Sequence, residues 1–164
     1  MEISLTPMEM TCAANTGVIR RVTSIQNKLN SGIYYSKEAN LWQTDIEGAC
    51  AELACAKALG IYWGAGVNTF KSADLGRKIQ VRATAGRTNK LIIRDRDSDH
   101  DIFILVVGSA PNYDVVGWIY GAAGKDPRWL GDANNIGKPA YFIPQQSLNP
   151  IEELTAAVQK GVGA

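Results

Sequence analysis

Ile102-Phe103-Ile104-Leu105-Val106-Val107 is continuously apolar. A strand turns successive side chains to opposite faces, so a run without polar alternation reads as a strand covered on both sides. The neighbouring segments Lys78 to Ala83, Lys90 to Arg94 and Val115 to Tyr120 are short and β-rich, as is Val67-Asn68-Thr69-Phe70. Lys78-Ile79-Gln80-Val81-Arg82 differs from the central run because it alternates. Lys78, Gln80 and Arg82 share one face, and Ile79 and Val81 share the other.

Outside these segments the pattern is helical. Thr6-Pro7-Met8-Glu9 has the cap, the first-turn proline and the returning glutamate of a capping box. Apolar spacing at Val18, Val22, Ile25 and Leu29 continues the helix, with Gly17 as a candidate break and Asn30-Ser31-Gly32 as its end. Thr44-Asp45-Ile46-Glu47 reads as a second capping box. It opens an alanine-rich helix with Ile46, Cys50, Leu53 and Lys57 as a stripe and Gly60 as its stop. Residues 121 to 140 read as a long loop carrying Trp129, Tyr141-Phe142-Ile143-Pro144 as a last short strand, and Ser147 onward as a C-terminal helix. The pattern predicts a mixed α/β fold (α and β elements mixed) with a central mixed sheet flanked by helices. It is read as one domain over residues 1–164: a helical region about 1–43, a core about 44–120, and a loop and helix about 121–164.

Composition excludes more than it identifies. A net charge of +1 announces no overall basic field. Cys12, Cys50 and Cys55 are an odd number in helical settings, which argues against a disulfide framework and fits a reducing cytoplasm. No apolar run approaches the roughly 20 residues of a membrane span, and the N-terminus lacks a signal-peptide pattern. Asp95-Arg96-Asp97-Ser98-Asp99-His100-Asp101 looks at first like a calcium loop. It has His100 where such loops need glycine and Val106 where they need glutamate, so a polar hairpin turn is the better reading. His100 is the lone histidine, which leaves Ser-His-Asp and Cys-His chemistry without a good base.

One set of polar residues stands inside otherwise apolar elements. Glu52 lies on the alanine-rich helix with Gly48, Ala49, Cys55 and Ala56 as its neighbours one turn away, all small. A carboxylate there is expected to be buried with a partner or a task. Asp74 closes a turn, and Gln80 and Arg82 follow on one strand face. This order resembles the PD-(D/E)XK, or restriction-endonuclease-like, nuclease superfamily, in its small phage and prophage members, over about residues 44 to 120. The resemblance implies a restriction-endonuclease-like core in which Asp74, Gln80 and Glu52 bind Mg²⁺ or Mn²⁺ and Arg82 stands in the place of the catalytic lysine. Lys78, on the same face, is a second source of an ammonium group. It implies divalent-metal-dependent hydrolysis of DNA in the cytoplasm, that of the host for a phage-encoded chain, and leaves the oligomeric state open, a homodimer included.

The substitution of arginine for lysine carries weight, because lysine can shift its pKa and act as a compact donor whereas arginine stays charged and forked. A catalytically inactive nuclease-fold module that binds nucleic acid or a protein partner is therefore the alternative, and a chance match on an unrelated α+β protein is a third reading. Arg20, Arg21 and Lys28 are candidate contacts to a DNA backbone, set against a plain solvated helix face. Trp118, Tyr120 and Trp129 are candidates for stacking on bases.

Overall fold

The computed structural model describes residues 1–28, 40–67, 73–132 and 139–160. The expected strand Val67 to Phe70 lies largely outside these residues, as do Asn30-Ser31-Gly32, Leu29, Ser72 and part of the expected loop at 133–138. The elements are β1 (Glu2–Ser4), α1 (Pro7–Gln26), α2 (Leu41–Leu59), β2 (Ile79–Thr84), β3 (Leu91–Arg94), β4 (Ile102–Ser109), β5 (Asn112–Tyr120), α3 (Gly121–Gly124), β6 (Leu130–Gly131), β7 (Ala140–Ile143), β8 (Asn149–Pro150) and α4 (Ile151–Gln159). The C-terminal helix thus starts at Ile151, a turn later than Ser147. Pro150, which cannot donate to a strand and suits a helix start, stands immediately before it.

The fold is mixed α/β, with a central sheet flanked by helices. The central sheet runs β1-β5-β4-β2, with β8 added alongside β5. β2 pairs parallel to β4, and the other pairings in the sheet are antiparallel. A second sheet, β3-β7-β6, is antiparallel throughout. The apolar run of β4 explains this layering. Ile102, Ile104 and Val106 pack with α2 and α4, while Phe103, Leu105 and Val107 pack with Leu91, Ile93 and Ile143 of the second sheet. The Asp95–Asp101 segment joins β3 to β4, strands of different sheets, so it is a crossing and not a hairpin turn. Among the described residues no helix is long and apolar enough to cross a membrane.

Two helix expectations change. α1 forms the expected Thr6–Glu9 capping box, but it continues unbroken through Gly17. A Cβ at Gly17 would lie 2.5 Å from Ile46 Cα, so this glycine lets α1 and α2 cross closely. α2 starts at Leu41, capped by Asn40, whose side chain accepts from the Gln43 N–H at 3.3 Å. Glu47 is therefore no capping partner. It accepts instead from the Tyr113 hydroxyl at 2.7 Å and the Ala110 N–H at 3.2 Å. Gly60 stops α2 in the left-handed conformation that favours glycine. From Ala49 to Leu59 the helix is buried nearly all round, because it lies between α1 and the sheet.

Candidate functional site

The site is built on the free edge of β2. Its outward backbone groups belong to alternate residues, since the others point to β4. Ile79 exchanges both of its hydrogen bonds with Leu75, at 3.1 and 3.2 Å, across a turn with Gly76 at φ +55°. Val81 donates its N–H to Asp74 Oδ2 at 2.8 Å. The tight turn thus pins Asp74 beside the strand at Val81, whose carbonyl on the same edge accepts from Arg82 Nη1 at 3.4 Å. Lys78 stands in the turn before the strand begins and is exposed. Its carbonyl serves β4 by accepting from the Ile102 N–H at 2.7 Å. That bond keeps Lys78 in step with Gln80 and Arg82 one residue before the strand.

The alternation within β2 is as expected: Ile79 and Val81 are buried, and Gln80 and Arg82 are half-buried. Gln80 and Arg82 share the registers of Phe103 and Leu105, and so look toward the second sheet. There Gln80 Nε2 donates to Asp101 Oδ2 at 3.0 Å. Arg82 Nη2 donates to Asp97 Oδ2 at 3.0 Å and its guanidinium lies 5.1 Å from the centre of the Phe103 ring. This face is therefore no solvated strand surface. The acidic 95–101 segment supplies its counter-charges.

Glu52 approaches from the other side. Only 7% of it is exposed. Arg20 grips both of its oxygens, Nη1 to Oε1 and Nη2 to Oε2, each at 2.7 Å, and Trp63 Nε1 donates to Oε2 at 3.2 Å. Arg20 Nε also donates to the Gly66 carbonyl at 2.8 Å. Glu52 is thus buried with a partner, and the partner is a residue that the sequence offered to DNA. Arg21 is likewise buried, its Nη2 2.7 Å from Asp45 Oδ2. Neither arginine is free for a phosphate backbone. Lys28 is exposed, just beyond the end of α1. Gly48 faces open space, so α2 packs through Ala49 and Ala56 but not through Gly48.

Sequence reasoning named Arg20 but missed its pairing with Glu52, and it missed Trp63, Asp97 and Asp101 as partners of the site. The available signal for the first was on α1. Its buried face is Ala13, Thr16, Gly17 and Arg21, while the apolar Val18, Val22 and Ile25 are exposed. The small and charged stripe is the inner one, opposite Asp45 and Glu52, which stand two turns apart on α2.

Asp74 carries the perturbation that marks a site. Its carboxyl is pushed up from 3.8 to about 6, first by burial and then by the charge of Glu52. The Val81 N–H, Arg82 and Arg20 oppose this. Mg²⁺ takes oxygen donors, often one or two carboxylates completed by waters and substrate phosphate. Asp74 suits that role, whereas the Val81 carbonyl already accepts from Arg82 Nη1 at 3.4 Å. Glu52 does not suit it, because both its oxygens are committed to Arg20. Gln80 is turned to Asp101. Among the described residues no three acidic, histidine or cysteine side chains gather into a metal cage.

A cleft of about 1200 Å³ opens along this edge. Its walls are α2, through Glu47, Gly48 and Glu52, and the second sheet, through Ile92 and Phe142, with Val81 to Thr84 between them. No family model, curated protein or solved structure matches the chain.

Proposed function

We propose that the chain is a divalent-metal-dependent DNA nuclease of the PD-(D/E)XK type, acting at the free edge of β2 in the cytoplasm. The observation that carries this reading is the Asp74 Oδ2–Val81 N–H bond, which sets a buried carboxyl with a raised pKa directly on the Gln-x-Arg strand. Mg²⁺ or Mn²⁺, when bound, polarises a phosphate and lowers the pKa of a water. Asp74 is the residue that would hold it, with waters and substrate phosphate completing the shell. Arg82 carries the cation that offsets charge developing on the phosphate. Arg20 holds Glu52 in place through both of its oxygens, beside Asp74.

A second reading is favoured by one feature. The Arg20–Glu52 and Arg82–Asp97 pairs leave two of the expected catalytic groups internally satisfied, which suits a module that binds nucleic acid or a protein without cleaving. Plasmid nicking with Mg²⁺ or Mn²⁺, against a chelator, separates the two. The nuclease reading expects cleavage that requires metal and is abolished in Asp74→Asn with the fold retained. Cleavage undiminished in that variant would remove Asp74, and no turnover with either ion would leave only the binding module.

A further inference from the structure

We propose that the cleft beside β2 receives a single-stranded segment of nucleic acid and not a duplex. The inference rests on the nuclease reading for the chemistry of its ligand, but the observations behind it are separate. The first is charge. Lys90, Arg94 and Arg128 line the second-sheet side and Arg82 the edge, in a chain whose net charge is only +1; Arg82 is paired with Asp97 and Arg128 with Asp126, both outside the lining. Of the acids in the lining, Glu47 is spent on Tyr113 and Ala110, and Glu52 on Arg20. Asp132 is the third.

The second observation is the apolar surface between those cations. Phe142 and Trp129 are half-buried in the lining, Ile92 and Leu130 are exposed there, and the Arg128 guanidinium lies 4.3 Å from the centre of the Trp129 ring. Cations tracking a backbone, interleaved with rings and planes on which bases stack, are how proteins hold single strands. A duplex keeps its bases stacked inside and would leave this wall facing phosphates. The volume, about 1200 Å³, exceeds the roughly 300–1,000 Å³ of small-molecule pockets and suits several nucleotides of one strand.

The third observation argues against an extended peptide as the occupant. A peptide adding to the edge of β2 needs its outward backbone groups. Leu75 already takes both from Ile79, and Asp74 takes the Val81 N–H. Arg82 takes the Val81 carbonyl, so among the described residues the edge offers little for strand addition.

The test is fluorescence anisotropy in chelator, so that no cleavage intrudes. A labelled mixed-sequence 12-mer is compared with its duplex at two salt concentrations, for the wild type, Lys90→Glu with Arg128→Glu, and Phe142→Ala, each checked for an unchanged circular-dichroism melt. The expected result is single-strand binding at least about tenfold tighter than duplex. The double charge reversal should weaken it by a further tenfold or more, and loss of two phosphate contacts should flatten the salt slope by about 1.4 units. Phe142→Ala should weaken it with the slope unchanged. Equal or tighter duplex binding, or variants that bind like the wild type, would overturn the inference. Plasmid cleavage without this binding would defeat the inference and spare the nuclease. Binding without cleavage by any metal would do the reverse.

Discussion

Asp74 is the residue at which chemistry and stability conflict. Its folded carboxyl titrates near 6 against an ordinary 3.8, so between those values the folded state holds a proton that the unfolded state has released. The stability it contributes is greatest below about 4, falls as pH rises through the window, and is fully lost above 6. The gap corresponds to about 3 kcal/mol at most. Asp74→Asn removes the charge and keeps an oxygen for the Val81 N–H. It is expected to be more stable than the wild type by about 1–3 kcal/mol at pH 8, with the difference closing by pH 4. Urea unfolding at the two pH values checks this, and a variant less stable at pH 8 would mean that the burial penalty is absent. The sequence placed Asp74 in a turn and gave it a charge role. Its burial was illegible, because it depends on Glu52 and α2 arriving from elsewhere in the chain.

At the scale of the element, α1 is where periodicity misled. Val18, Val22 and Ile25 have core spacing yet face outward, while Gly17, Arg20 and Arg21 face α2. The reason is close approach: small residues let the helices cross near their backbones, and the charged neighbours then find Glu52 and Asp45. Gly17→Ala should therefore destabilise by about 1–3 kcal/mol through overpacking, despite a helix-propensity gain of about 1 kcal/mol. Chemical denaturation that shows Gly17→Ala as stabilising would mean the helices can move apart freely. The ion pair has its own signature. Arg20→Met or Glu52→Met alone strands a buried charge and should cost about 3–5 kcal/mol, whereas the double replacement should cost much less than the sum. Additive losses in that double-mutant cycle would deny the coupling.

At the scale of the molecule, β4 was the legible part, and what covered it was not. Continuous apolarity announces two covered faces, but the same letters serve a helix layer or a second sheet. The split matters, because it puts Glu52 on one side of β2 and Arg82 on the other, with Asp74 at the edge between them. Arg82 is the sharpest probe of whether that divided arrangement works as a site. It braces the 95–101 crossing through Asp97 and lies against Phe103, so Arg82→Ala should cost about 1–3 kcal/mol of stability, more than a solvated strand residue would. If the nuclease reading holds, the same variant should also lose about a hundredfold or more in turnover with metal affinity little changed, because the cation acts on charge that develops in the transition state. Arg82→Lys separates the two roles. A lysine cannot reach Asp97 and the Val81 carbonyl with two arms at once, so part of the stability should stay lost, but on the nuclease reading it supplies an ammonium group and should keep most of the turnover. Melting temperature and single-turnover cleavage on both variants give the answer. A stability loss with cleavage untouched in Arg82→Ala would make Arg82 a strut between the two sheets and remove it from the chemistry.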